Sequence, residues 1–319
     1  MTYFKPRSFC PSCRSKEFKP LLDLPYSDPD LIGYLSRYYC SQGHPNFSRL
    51  DGERYRLMEC NSCRLVFQDR VPNDEFLMEL YEEWIDPRTI FGSEKDNAAR
   101  QFRAMRLIWR LIRRLKESSK SIDVLDIGMG WGDWLFAARG FGCRVHGLEL
   151  SPARIKYGKS HGIEMLGWNE LSGRTFDIIN CDQVLEHVED PRGALEAMTR
   201  CVSPTGIIRV SVPNLLPIAS RLRSGRGVDW SGEPHTRHRP NPTEAVTPLE
   251  HLNTFTGTSL RYLAEACGLK ELKFGLSEMA RAAVFDFDSL KDIGVMALIR
   301  LGYVDHFTTA NLTPARALS

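Results

Sequence analysis

The chain has 319 residues, 42% hydrophobic and 26% charged, which is room for one full α/β domain and a small accessory unit. A formal net charge of +2 gives no electrostatic argument for a nucleic-acid partner. No run reaches the apolar length of a membrane span and the first six residues hold no signal-peptide core, so the expectation is a cytoplasmic protein with no membrane span.

Nine cysteines, an odd number, fit a fully paired disulfide framework poorly. Four of them form two C-x-x-C pairs, Cys10 with Cys13 and Cys60 with Cys63, and in a reducing compartment that spacing favours a metal. Residues 1–75, rich in Cys, Pro, Asp and Tyr without a sustained helical period, are therefore expected to be a small metal-stapled module. Residues 76–120 are expected to be a helical linker. It begins with an acidic amphipathic stretch at 74–84 and continues with a longer helix over 97–116, with Phe102, Met105, Ile108, Trp109, Ile112 and Leu115 on one face. Arg100, Arg103, Arg106, Arg110 and Arg113 line the opposite face, read as its solvent side.

From residue 121 the pattern becomes strand, turn, helix. Strands are predicted at 123–127, 144–148, 176–180, 206–212 and 269–274, with helices at 133–139, 152–160, 192–202 and 258–267. Apolar strands alternating with helices mean a doubly wound, mostly parallel α/β sheet. Residues 214–250 interrupt the rhythm and are expected to be a lid insertion, with His235, Arg237, His238 and Arg239 as a cationic cluster suited to an anionic group. Residues 121–288 would form the main domain and 289–319 a tail, with a closing antiparallel strand at 282–287 and a helix at 289–303.

The first strand runs into Gly128-Met129-Gly130-Trp131-Gly132, where glycine lets backbone approach a ligand closely. The spacing is G-x-G-x-G, with Asp133 where a dinucleotide loop has its third glycine. Asp126, just before the loop, would repel a pyrophosphate and suits the methionine ammonium of S-adenosylmethionine. Glu149 closes the second strand at the distance of a carboxylate that grips ribose hydroxyls.

These residues, with Leu185-Glu186-His187-Val188-Glu189-Asp190-Pro191 and Val210-Ser211-Val212-Pro213-Asn214, resemble class I methyltransferases of the group that includes the ubiquinone O-methyltransferases, over about residues 121–275. The resemblance implies a seven-stranded Rossmann-like methyltransferase domain in which Asp126, Gly128, Gly130 and Gly132 hold the methionine end and Glu149 the ribose. Trp168 and Asn169 would lie near the adenine, and Cys181, Asp182 and Gln183 would line the site after the fourth strand.

The four knuckle cysteines supply the tetrahedral thiolate set of a structural Zn2+ site, and Cys40 with His44 is the alternative pair. Loss of one thiolate is expected to unfold the module and spare the core. On the acceptor side, His187 is read as opening the helix after the fourth strand and His251 as closing the long loop, both able to take a proton from a hydroxyl or carbon acid. Paired knuckles with His187, Glu250 and His251 also resemble the zinc-containing sugar C-methyltransferases. That resemblance implies catalytic roles for His251, His187 and Glu250, although Pro248 stands where that family has a Tyr.

The expected activity is methyl transfer from S-adenosylmethionine to a small, sugar-like or anionic acceptor, at oxygen or carbon. The competing reading is an RNA-modifying methyltransferase gripping RNA through the zinc module and arginine helix, since some ribosomal RNA guanine methyltransferases resemble it in a C-x-x-x-H element. The near-neutral charge and the lack of aromatic residues interleaved with a basic patch argue against nucleic acid.

Overall fold

The computed structural model describes residues 2–85, 94–115, 122–232, 242–273 and 307–315, with only the backbone of 94–100 and 307. In the N-terminal unit, strands β1 (Phe4–Pro6), β2 (Phe18–Pro25), β3 (Arg54–Cys60), β4 (Val66–Gln68) and β5 (Arg70–Pro72) form antiparallel pairs around helix α1 (Pro29–Tyr39). Helix α1 corrects the expectation of a unit without helix. Asp28 caps it by accepting from the Asp30 and Leu31 amides, Pro29 opens it, and it buries Leu31, Tyr34, Leu35, Tyr38 and Tyr39 at helical spacing. That period is present in the sequence, overlaid by polar and turn-forming neighbours.

Helix α2 (Asp74–Glu79) widens into a π-helical turn at Leu80–Trp84 that buries Leu80 and Trp84. Helix α3 (Glu94–Leu115) follows. Ile108 and Leu111 are buried on it, while Phe102 and Met105 of the expected apolar face are 45% exposed. Arg103 and Arg113 face solvent, whereas Arg106 and Arg110 are half-buried.

The main sheet has seven strands: β6 (Asp123–Ile127), β7 (Arg144–Leu148), β8 (Glu164–Met165), β9 (Phe176–Asp182), β10 (Val202–Pro213), β12 (Leu269–Glu271) and β13 (Phe307–Pro314), in the order β12-β13-β10-β9-β6-β7-β8. Helices α4 (Asp133–Gly140), α5 (Pro152–Ser160), α6 (Pro191–Cys201) and α8 (Gly257–Ala266) connect the strands. Pairing from β10 through β8 is parallel, and β13 is antiparallel to both its neighbours. The closing antiparallel strand is thus 307–314, past the boundary expected at 288. The expected strand at 282–287 and helix at 289–303 lie outside the described residues.

The two parts share one core. Cys10, Cys60, Cys63, Leu65 and Phe67 of the N-terminal unit pack in the same apolar cluster as Leu125, Ile179, Val210 and Phe255. Strand β11 (Asn253–Thr254), from the expected methyltransferase region, pairs antiparallel with β4 as an edge of the N-terminal sheet. The expected lid also needs correction. Helix α7 (Leu216–Arg223) and residues 242–250 are anchored in the N-terminal core, with Leu215, Ile218, Leu222, Trp230, Val246 and Leu249 buried beside Tyr34, Tyr39 and Tyr55. His235, Arg237, His238 and Arg239 lie outside the described residues.

Arg7 joins the parts. Its guanidinium donates to the Leu252 carbonyl at 3.1 Å, Asn253 Oδ1 at 3.0 Å and the Glu189 carbonyl at 2.9 Å. Arg7→Met should leave Asn253 Oδ1 and the Glu189 carbonyl without this donor, while the Leu252 carbonyl keeps the Gln68 amide, costing about 3 kcal/mol at roughly 1–3 kcal/mol per unpaired group. We expect calorimetry to record one cooperative transition with Tm lowered by about 6–12 °C. Two resolved transitions would mean that the N-terminal unit folds by itself, as the sequence suggested.

Candidate active site

A polar relay crosses the carboxyl ends of β6, β9 and β10. Asp126 lies opposite Asn180, and Asn180 opposite Arg209. Asn180 Nδ2 donates to Asp126 Oδ1 at 2.8 Å, Arg209 Nη1 donates to Asn180 Oδ1 at 2.8 Å, and Arg209 reaches Asp182 Oδ1 at 3.3 Å. The Asp126 carboxyl is 4% exposed, and burial raises its pKa to about 7 despite the Asn180 hydrogen bond. Asn180 and Arg209 were not singled out from the sequence. An arginine within an apolar buried strand was the available signal.

The glycine loop follows. Gly128 has φ +69°, and a Cβ there would meet Val184 Cγ2 at 2.5 Å. Gly130 has φ +57°, and a Cβ there would meet nothing within 4 Å, so its backbone borders open space. Glu149 is fixed from three sides. Oε2 accepts from the Gly130 amide at 3.0 Å, and Oε1 accepts from the Leu150 and Ser151 amides at 2.8 and 3.0 Å. Open backbone at Gly130, an oriented Glu149 and a buried Asp126 that a bound cation would ionise suit the methionine and ribose ends of S-adenosylmethionine. Trp168 is 37% exposed and Asn169 is exposed, both in a 3-10 turn at Trp168–Leu171. Cys181 is placed differently from expectation. Its side chain is fully buried in the core on the other side of β9 from Asn180 and Asp182, so it lines nothing accessible.

Two loops meet beyond this cradle. His187 sits in a turn before α6 rather than at a helix start, since α6 begins at Pro191. Its ring lies edge-to-face with His251, centroids 4.9 Å apart. His187 Nδ1 is 3.1 Å from the Glu250 carbonyl and 3.3 Å from the Tyr81 hydroxyl, and burial lowers its pKa to about 4, leaving a neutral ring. Glu250 Oε1 accepts from the Tyr39 hydroxyl at 2.9 Å, and burial raises this carboxyl to about 7. Tyr39 also donates to the Pro248 carbonyl, so α1 places a phenol at the segment where the sequence has Pro248. Gln183 and Leu249, with φ of +56° and +72°, flank these residues as local strain.

Asn253 ties the two loops together. Its amide donates to the Glu186 carbonyl at 3.0 Å, and Nδ2 donates to the Leu185 and Val188 carbonyls at 2.9 and 2.7 Å. Gln68 Nε2 donates to the His251 carbonyl at 3.0 Å, which fixes the assembly to β4. Neither residue carried a sequence signal of chemistry.

The knuckle cysteines converge. Cys10 Sγ is 3.5 Å from Cys63 Sγ and Cys13 Sγ is 3.4 Å from Cys60 Sγ, with all four sulfurs within 4.8 Å of one another. The Arg14 and Arg64 backbones turn left-handed at φ +64° and +62°, closing each knuckle. Contact with the Cys10 thiol and the Leu65 amide favours the Cys63 thiolate. Tetrahedral Zn–S bonds of about 2.3 Å need sulfurs about 3.8 Å apart, and these four fit. Cys40 is exposed at the end of α1, and neither it nor His44 joins a metal-ligating cluster among the described residues.

Residues 98–273, more than half of the chain, match the methyltransferase domain family. The chain belongs to that family. It is 31% identical over 147 residues to the ubiquinone biosynthesis O-methyltransferase of Thiobacillus denitrificans, covering 43% of this chain and 60% of that one. The Leptothrix cholodnii protein of the same name is 26% identical over 151 residues, with 44% and 61% covered. The chain thus spans about three fifths of the length of these curated relatives. Among solved structures, the plantazolicin methyltransferase BpumL in complex with SAH aligns with 18% identity and a TM-score of 0.45, over 69% of this chain and 87% of that one. No described helix is long and apolar enough to cross a membrane.

Glu149→Ala should release three backbone amides and weaken S-adenosylmethionine binding by about 10–100-fold, at roughly 1.5–3 kcal/mol per charged hydrogen bond. Unchanged affinity by calorimetry would remove Glu149 from the site. Asp126 supplies a pH test. A ligand ammonium favours the ionised carboxyl, so below about pH 7 binding must first expel a proton. Affinity should fall about tenfold per unit below that value, level off above it, and lose the dependence in Asp126→Asn.

Proposed function

We propose that this chain transfers a methyl group from S-adenosylmethionine to a small-molecule acceptor, a sugar-like or anionic biosynthetic intermediate, at oxygen or carbon. One observation carries the reading: the Asp126–Gly130–Glu149 cradle and the His187–His251 pair with Glu250 stand at loops following strands of one sheet. Ligands of open α/β sheets bind at the carboxyl ends of the strands. Bound there, S-adenosylmethionine supplies a methyl group on a positively charged sulfur.

The chain's own residues do the rest. Asp126 and Glu149 orient the donor; His251, His187 and Glu250 hold the acceptor in line and accept the proton it loses, worth typically about 10²–10⁴-fold. The names of the ubiquinone biosynthesis relatives support a small-molecule acceptor over RNA, and so does the partial burial of the arginine helix.

We also propose Zn2+ on Cys10, Cys13, Cys60 and Cys63, where four protein thiolates leave no position open for chemistry. The ion would cross-link two segments beneath the acceptor loops, near which Arg14 pairs with Asp190 at 2.7 Å. Domain limits of 1–75, 76–120 and 121–288 remain useful for naming the parts, on the understanding that β11 and β13 cross them.

The protein should be incubated with labelled S-adenosylmethionine and cell extract, and nucleic acid separated from small metabolites. Label in the small-molecule fraction is expected; label in RNA alone would overturn the reading. His251→Ala should keep cofactor affinity and lower turnover by about 10²-fold or more, and a collapse of cofactor affinity would make His251 a structural anchor. Cys60→Ser should lose the thiolate-bound zinc and Cys40→Ser keep it.

A further inference from the structure

Beside the two acceptor histidines stands a carboxylate with no role in that scheme. Glu186 is 1% exposed, and neither carboxylate oxygen has a hydrogen-bond partner among the described residues. A buried carboxylate without a donor is costly unless it is neutralised or joined by a cation. Among the described residues, Arg209 pairs with Asp182 and Asn180, and Arg7 with Leu252, Asn253 and Glu189. One oxygen of Glu186 and one ring nitrogen each of His187 and His251 lie within 4.8 Å of one another.

We propose that Glu186, His187 and His251 form a second metal site, for a divalent transition-metal ion that holds and activates the acceptor's oxygen. The backbone presets the ligands. With its proton on Nδ1 and donated to the Glu250 carbonyl, the His187 ring presents the Nε2 lone pair on the side of Glu186, whose Oε1 is 3.9 Å away. A carbonyl acceptor on the far nitrogen is the usual outer partner of a metal-bound imidazole. The Asn253 amide on the Glu186 carbonyl and Gln68 on the His251 carbonyl hold the other two. Two imidazoles and one carboxylate suit zinc, iron(II), manganese, cobalt or nickel better than magnesium or calcium. Three protein ligands, unlike the four thiolates, leave positions open for a substrate oxygen.

This site rests on the reading that the acceptor binds beside these histidines, and it refines their part in it. The ion would draw electron density from a coordinated acceptor hydroxyl, whose O–H bond breaks with the proton passing to solvent water. An oxygen lone pair then forms the bond to the methyl carbon, and the pair of the breaking C–S bond returns to sulfur, which becomes neutral. The histidines serve as ligands rather than as bases.

The test uses the full chain, stripped by a chelator and titrated with Co2+ alone. Stoichiometry is read by elemental analysis and the thiolate set by its sulfur-to-cobalt charge-transfer absorption. Wild type should take two equivalents, one giving the thiolate band and one without it. Glu186→Gln and His251→Asn should keep the banded equivalent and bind the other at least about 100-fold more weakly, beyond the loss of an outer-shell partner. Retention of the band shows that a variant is folded; if one variant fails that check, the other decides. A wild type that takes a single equivalent, or a second equivalent undiminished in the folded variants, overturns the site. Small-molecule methylation by a one-equivalent protein would overturn the site and leave the acceptor reading standing. Two equivalents with label only in RNA would do the reverse.

Discussion

The structure depends on one junction, the edge where β11 joins β4. Asn253 and Thr254 add a strand from the methyltransferase region to the N-terminal sheet, and the Asn253 side chain donates to the loop at 185–188 and accepts from Arg7. Because Gln68 and Arg7 reach the same few residues from the N-terminal side, the loops carrying His187 and His251 are positioned by groups outside the parallel sheet. A buried amide or guanidinium shared among several carbonyls specifies geometry strongly, since displacing it leaves every acceptor unpaired.

The N-terminal unit therefore helps to position the candidate site as well as holding four convergent cysteines. Helix α1 brings Tyr39 to Glu250, α7 and the flanks of 214–250 pack beside α1, and the thiolate knuckles lie in the core under β6, β9 and β10. The donor side has another source of order. Asp126, Asn180 and Arg209 occupy matched register positions on three adjacent strands, so the sheet itself aligns the chain of hydrogen bonds.

Much of this could be read in the sequence wherever the determining contacts are local. The predicted strands at 123–127 and 144–148 and the helix at 152–160 match β6, β7 and α5, because apolar strand runs and a proline at the helix start act within a few residues. The C-x-x-C knuckles and the G-x-G-x-G loop were likewise visible, since each needs particular residues at fixed short spacing. Helix α1 was legible in principle from Leu31, Tyr34, Leu35 and Tyr38, but its period lay under tyrosines and turn formers.

By itself the sequence determined the α/β class, the glycine loop after the first strand of the main sheet and the four cysteines that converge. Only the tertiary structure decided that Cys181 points into the core, that β13 closes the sheet at 307–314, and that Tyr39, Gln68, Asn253 and Glu186 stand around His187, Glu250 and His251. The physical reason is separation along the chain. Tyr39 meets Glu250 across 211 residues, and Gln68 meets His251 across 183. No local propensity encodes such a meeting; it arises when two sheets bury a common apolar cluster and the polar groups left inside must find partners.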